Sequence, residues 1–125
     1  MTIAPEREGA IEAIERFRAA GAVVAIGHSD ATEEEYSAGR AAGITHATHL
    51  FNAMMAKPGP PSRASAGVKA VGIEELILGD EGVSADIMCD SKAAHVHPSL
   101  LSIALAVNLL LTLLHNRWPR SPIAA

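Results

Sequence analysis

Apolar residues fall along this chain in two rhythms. Between Glu6 and Ala20, Ile11, Ile14 and Phe17 recur every three residues, while Glu12, Glu15, Arg16 and Arg18 lie mostly on the other face. That spacing predicts an amphipathic helix, which Gly21 terminates. Ala22–Ile26 is instead an unbroken apolar run of strand length. Without alternation both faces must be covered, as in a parallel sheet flanked by helices. Gly27–Thr32 is a turn. Thr32 and Glu35 have the spacing of a capping box, which predicts a helix over Glu33–Ala42, ended by Gly43. Ile44–Thr48 is the next strand. Strands and helices that alternate through short links predict an α/β fold of βα repeats around a parallel sheet.

The remaining stretches are read the same way. Thr2-Ile3-Ala4 is a short apolar start closed by Pro5. Met55–Ala66 holds Pro58, Gly59, Pro60 and Pro61 and is expected to be a surface loop. Val68–Leu78 is weakly helical and Gly79–Gly82 is a turn. In Val83–Cys89, Val83, Ala85, Ile87 and Cys89 alternate with Ser84, Asp86 and Met88, which predicts a strand. Asp90–His97 is a polar loop, and Pro98 opens a last helix at its first position. Leu100–Leu114 is nearly all apolar, broken by Ser102, Asn108 and Thr112. It is shorter than the roughly 18 residues of a membrane span, so it is expected to be a buried helix and, left uncovered, an aggregation hazard. Residues 1–115 are expected to form one domain with no internal boundary. Asn116–Ala125, with Pro119 and Pro122, is expected to be an unstructured tail.

Composition narrows the function. Of 125 residues, 49 % are apolar, ample for the core of one small domain, and only 3 % are aromatic. With a net charge of −4, the chain lacks both the stacking platforms and the basic footprint of a nucleic-acid binder. The single cysteine, Cys89, cannot form an internal disulfide. No basic–apolar leader pattern opens the chain, so the expected location is the cytoplasm, without a membrane partner.

Candidate chemistry gathers where predicted strands end. His28 follows Ile26 by two residues, His49 closes the Ile44 run, and His95 and His97 follow Cys89. On a βα scaffold such positions form the functional rim. Neutral imidazole is a common ligand for zinc, iron and nickel, and catalytic metals typically take three protein ligands. His28 and His49 could supply two; the alternative is that they hydrogen-bond within strand-end turns. His46, three residues before His49, is expected to face the other side of its strand in a structural role. Asn52 and Ala53 begin a turn whose N–H groups could cradle an anion. Arg63, the only arginine or lysine between Lys57 and Lys69, could grip phosphate or be a solvated loop charge. Cys89 has no basic neighbour and reads as a buried structural thiol. A nucleophile elbow, a Walker A loop and a dinucleotide fingerprint are absent.

Two motifs in combination are highly specific. Gly27-His28-Ser29-Asp30-Ala31-Thr32, followed by Ala42-Gly43-Ile44-Thr45-His46-Ala47-Thr48-His49-Leu50-Phe51-Asn52-Ala53-Met54, resembles the N-acetylglucosamine-6-phosphate deacetylases of the amidohydrolase superfamily. Ile3-Ala4-Pro5-Glu6 resembles the family's preceding strand, and Cys89-Asp90 with His95-Val96-His97-Pro98 its later Asp-Gly-x-His segment. The resemblance implies a metal-dependent (β/α)8 TIM barrel, of which this chain would be a fragment of about three to four βα units. It implies hydrolysis of the acetamide of N-acetylglucosamine 6-phosphate to glucosamine 6-phosphate and acetate. It implies a divalent metal, zinc first and iron as the alternative. By position, His28 and His49 would be metal ligands. Asn52, Ala53 and His95 would contact the amino-sugar phosphate, and Arg63 would reach it across the interface of a homo-oligomer.

Departures from the pattern are as informative. A barrel takes about 250 residues. The family's metal-binding glutamate would lie upstream of Thr2, and no aspartate follows Ala106 to act as the general base. Ser91-Lys92-Ala93-Ala94 separates Asp90 from His95, and Arg63-Ala64-Ser65-Ala66 departs from the family's Arg-Glu/Asp-Pro-Gly. The 125 residues are therefore expected to supply two ligands and part of a pocket without turnover. The alternatives are an inactive truncated remnant or a subunit that completes a barrel by association. A membrane-associated fragment is disfavoured by the short apolar segment and by Asn108.

Overall fold

The computed structural model describes residues 1–54, 71–90, 92, 94–107 and 111–116, the last stretch in backbone only. Its elements run β1 (Thr2–Ile3), α1 (Ala10–Ala19), β2 (Val24–Ile26), α2 (Glu33–Ala42), β3 (Ile44–Ala47), α3 (Ile73–Gly79), β4 (Ser84–Asp90), α4 (Pro98–Val107) and β5 (Leu111–Asn116). The strands form one sheet in the order β1-β2-β3-β4-β5, and every pairing is parallel. Successive helices pack on one another, α1 on α2, α2 on α3 and α3 on α4. Crossovers between parallel strands are right-handed as a rule, which lays successive helices along one face of the sheet. The result is four βα units and a fifth strand, the α/β arrangement expected from the alternation.

Local chemistry explains most boundaries. Glu35 N–H donates to Thr32 Oγ1 and Thr32 N–H to a Glu35 carboxylate oxygen, at 3.3 and 2.8 Å, so both arms of the predicted capping box form. Gly43 ends α2 at φ 132°, where a side chain would be strained. Gly27 matters for another reason: a Cβ there would meet Thr2 Cγ2 at 2.8 Å and Thr48 Cβ at 3.2 Å. Its lack of a side chain lets Thr2 and Thr48 share a hydrogen bond of 3.0 Å. In β2, Val24, Ala25 and Ile26 are all buried, as the unbroken run requires. In β4, Ala85, Ile87 and Cys89 are buried while Ser84, Asp86, Met88 and Asp90 are half-buried. The core joins these residues to Ile14, Ile44, Leu50, Ile73 and Ile77.

Four expectations are corrected. The first helix begins at Ala10, not Glu6, because Arg7 N–H bonds to Ala4 O and Gly9 turns left-handed at φ 74°. Strand β2 begins at Val24, leaving Val23 exposed. Most consequentially, Leu100–Leu114 is not one buried helix. The helix stops at Val107, and Leu111–Asn116 pairs along β4 from Ala85 to Asp90. An open strand edge offers unpaired backbone groups that an apolar, extended segment satisfies better than a helix does. Asn116 closes that strand rather than opening a tail. Nor is α4 buried: Ala104 is, but Ile103 and Val107 are 52 % and 59 % exposed. Met55–Ala66 and residues 117–125 lie outside the described residues. Among the described residues no helix is long and apolar enough to cross a membrane.

One polar lock ties α2 to the turn before β4. Arg40 Nε donates to Asp80 Oδ2 at 2.6 Å, Arg40 Nη2 to Oδ1 at 3.2 Å, and the Tyr36 hydroxyl to Oδ2 at 3.0 Å. Arg40 Nη1 also donates to Ile44 O at the start of β3. The Arg40 hydrogen bonds hold the Asp80 carboxyl below its usual range, and burial first, then Asp80, raises the Tyr36 phenol. Asp80→Asn is expected to cost about 1–2 kcal/mol, since it leaves the guanidinium without its carboxylate. A depressed carboxyl stabilises the fold above its ordinary pKa and loses that contribution as pH falls below it. Urea unfolding at pH 7 and pH 3 checks both: the wild-type advantage over Asp80→Asn is expected to shrink at the lower pH.

Candidate functional site

The C-terminal ends of β1 to β4 bring the candidate residues to one rim. Glu6 follows β1, His28 follows β2, His49 follows β3, and Asp90 is the last residue of β4. Two of the predicted site residues meet there. His28 Nε2 lies 3.1 Å from His49 Nε2, and the rings are 4.8 Å apart with planes tilted by 50°. Two nitrogens each about 2.0–2.1 Å from a tetrahedral zinc would lie about 3.3 Å apart, so the pair is spaced as two ligands of one cation. His49 Nδ1 is 3.2 Å from the Asn52 carbonyl, which can only accept. Nδ1 therefore carries the proton, and Nε2 keeps the lone pair that a metal needs. In the absence of metal, His28 Nε2–H can donate to it.

Both histidines have left-handed backbone, φ 51° for His28 and 38° for His49, a conformation that costs a side-chain-bearing residue energy and clusters at functional sites. Phe51 and Ala53 follow at φ 69° and 53°, so the handedness alternates from His49 to Ala53. Such alternation turns successive N–H groups toward a common centre. Leu50 N–H is engaged by Asp86 O and Asn52 N–H by His49 O; among the described residues no hydrogen bond engages the N–H of Phe51 or Ala53. Asn52 and Ala53 thus sit in a turn of alternating handedness that directly follows His49.

Among the described residues, the other predicted ones have different partners. His95 lies in the loop after β4, where its Nδ1 and N–H both approach Asp90 Oδ2 at 3.1 Å. Ala94 and Lys92 N–H donate to Asp90 Oδ1. Those bonds, Ala94's first, hold the Asp90 carboxyl down at about 2. His46 turns away from His49: its Nδ1 meets Ser84 Oγ at 2.8 Å and its Nε2 meets Asp86 Oδ2 at 3.2 Å. The Cys89 thiol is buried, and burial pushes its pKa up. Arg63 lies outside the described residues. Among the described residues no three His, Cys, Asp or Glu side chains converge as a metal set.

Sequence reasoning did not single out Glu6 as part of the rim. Glu6 Oε2 accepts from Ser29 Oγ at 2.8 Å and Oε1 from Asp30 N–H at 3.2 Å. A carboxylate 22 residues before His28 carries no local signal of that contact; the pairing of β1 with β2 makes it.

No protein-family model matches the chain. A curated relative, N-acetylglucosamine-6-phosphate deacetylase of Caenorhabditis elegans, is 34 % identical over 108 residues, 86 % of this chain and 24 % of that protein. The Vibrio furnissii deacetylase of the same name is 31 % identical over 83 % of this chain. N-acetylgalactosamine-6-phosphate deacetylase of Escherichia coli O157:H7 is 30 % identical over 82 % of it. A solved N-acetyl-D-glucosamine-6-phosphate deacetylase from Mycobacterium smegmatis, in complex with N-acetyl-D-glucosamine-6-phosphate, matches 90 % of this chain and 27 % of its own. That match has a TM-score of 0.72 at 34 % identity. The chain spans about a quarter of the length of the relatives it matches. In sequence and in fold alike, it is similar to one continuous quarter of an N-acetylglucosamine-6-phosphate deacetylase.

Proposed function

We propose that this chain contributes the two-histidine half of a divalent metal centre, and the adjoining phosphate-binding turn, to a deacetylase of amino-sugar phosphates. The observation that carries the reading is the His28–His49 pair, with Nε2 atoms 3.1 Å apart and the His49 tautomer set by Asn52. The donor set fits a borderline metal: neutral imidazole suits zinc first, with iron as the alternative. When bound, such a metal supplies Lewis acidity that acidifies water and polarises a carbonyl.

The chain's own residues then divide the work. His28 and His49 hold the metal. The turn takes the phosphate through the Asn52 side chain and the Phe51 and Ala53 backbone N–H groups, which orients the sugar so that its acetamide faces the histidines. His95, with Nδ1 committed to Asp90, has Nε2 left to contact the substrate near the scissile amide. Arg63 reaches phosphate from the neighbouring copy of a homo-oligomer, as the proline loop of a cytoplasmic enzyme. The reaction is hydrolysis of N-acetylglucosamine 6-phosphate to glucosamine 6-phosphate and acetate. The 125 residues by themselves are expected to bind metal without turnover, since no aspartate follows Ala106 to act as the general base. The apolar face left open on α4 supports the companion reading, a barrel-completing subunit.

Co2+ titration of the purified chain is expected to give one site, and His28→Ala or His49→Ala is expected to weaken it at least 10-fold; equal binding by both variants would sink the ligand assignment. Zinc-loaded chain is expected to release no acetate from N-acetylglucosamine 6-phosphate, and sustained release would overturn the two-ligand reading. Addition of glucosamine 6-phosphate to 15N-labelled chain is expected to shift the Phe51 and Ala53 amide resonances, and glucosamine is not. Equal response to the two sugars would remove the phosphate role of the turn.

A further inference from the structure

We infer that Glu6 is a positioning residue for His28. This rests on the reading of His28 as a metal ligand and adds the group that holds it in place. His28 takes φ 51°, a conformation that persists in a histidine only when its surroundings over-determine it. Little in the turn itself does so. Ser29 is 1 % exposed, and its hydroxyl accepts from Ala31 N–H at 3.2 Å, a bond local to the turn. The constraint comes from the neighbouring strand. One carboxylate, Glu6 in the turn after β1, accepts from the Ser29 hydroxyl with one oxygen and from the Asp30 N–H with the other. The two residues that follow His28 are thereby clamped as a unit, and the direction in which the chain leaves His28 is set from outside the turn.

The chemistry requires a carboxylate. Two donors meet two acceptors, and the half-buried position makes an unmatched donor costly. Glutamine would keep an acceptor for one donor and present an N–H2 to the other. Alanine would leave the buried Ser29 hydroxyl and the Asp30 N–H without that partner. Either change frees His28 to relax toward ordinary backbone and opens the 3.1 Å approach to His49. Outer groups of this kind typically alter metal affinity by about 10–100-fold.

The test compares wild type with Glu6→Ala, Glu6→Gln and Ser29→Ala, each first confirmed folded by circular dichroism. In the metal-free chain, long-range 15N spectra of the imidazoles are expected to show the His28 and His49 rings shifted in Glu6→Ala, with His95 unchanged. In Co2+ titrations, Glu6→Ala is expected to lose about 10–100-fold in affinity with an altered visible spectrum, and Glu6→Gln and Ser29→Ala to fall between it and wild type. Unshifted His28 resonances in a folded Glu6→Ala chain overturn the positioning role, as does wild-type affinity with an unchanged spectrum. If wild type itself binds no Co2+, the metal reading fails, and the ring resonances still decide whether Glu6 sets His28.

Discussion

Parallel pairing of β2 with β3 brings His28, 21 residues earlier in the chain, against His49. Ile26 lies opposite Ala47 in that ladder, so both strands end at the same level and their next turns face one another. A register shift between Val24 and Ala25 adjusts the level locally. The same parallel order places the ends of β1 and β4 beside them. Every candidate residue within the described part of the rim depends on this shared height.

Strain on that rim is concentrated and opposed. His28, His49, Phe51 and Ala53 carry left-handed backbone without being glycine, each at a cost of order 1–3 kcal/mol. Beneath them lies a layer with little freedom: Ile26, Ala47 and Leu50 are fully buried, and Gly27 lets Thr2 and Thr48 close across β2. The His46 contacts to Ser84 and Asp86 tie β3 to β4 on the half-buried side of the sheet. The Arg40–Asp80–Tyr36 lock does the same work at the opposite end. Rigid strands and bonded turns can hold a histidine pair at 3.1 Å where a flexible loop could not.

Much of this was legible in the residue order. The unbroken Val24–Ile26 run, the alternation through Val83–Cys89 and the Thr32–Glu35 capping box each predict an element because the cause is local: a period, a burial pattern or a side chain three residues away. The C-terminal apolar segment was misread because periodicity cannot tell a helix from a strand in a continuous apolar run. What divides Leu100–Leu114 is the open edge of β4, a feature of the assembled sheet. The exposed face of α4 was equally hidden, since burial depends on which neighbours are present.

The candidate residues can be named from the chain alone. His28, His49, Asn52 and Ala53 stand at strand ends whose positions follow from local rules. Their distances cannot be so read. The 3.1 Å between imidazoles, the tautomer set by the Asn52 carbonyl and the alternating backbone at His49–Ala53 all arise when strands pair and turns close. The contact between Glu6 and the Ser29–Asp30 turn belongs to that second class: it joins residues with no shared period or motif, through a hydrogen bond that exists once β1 lies beside β2.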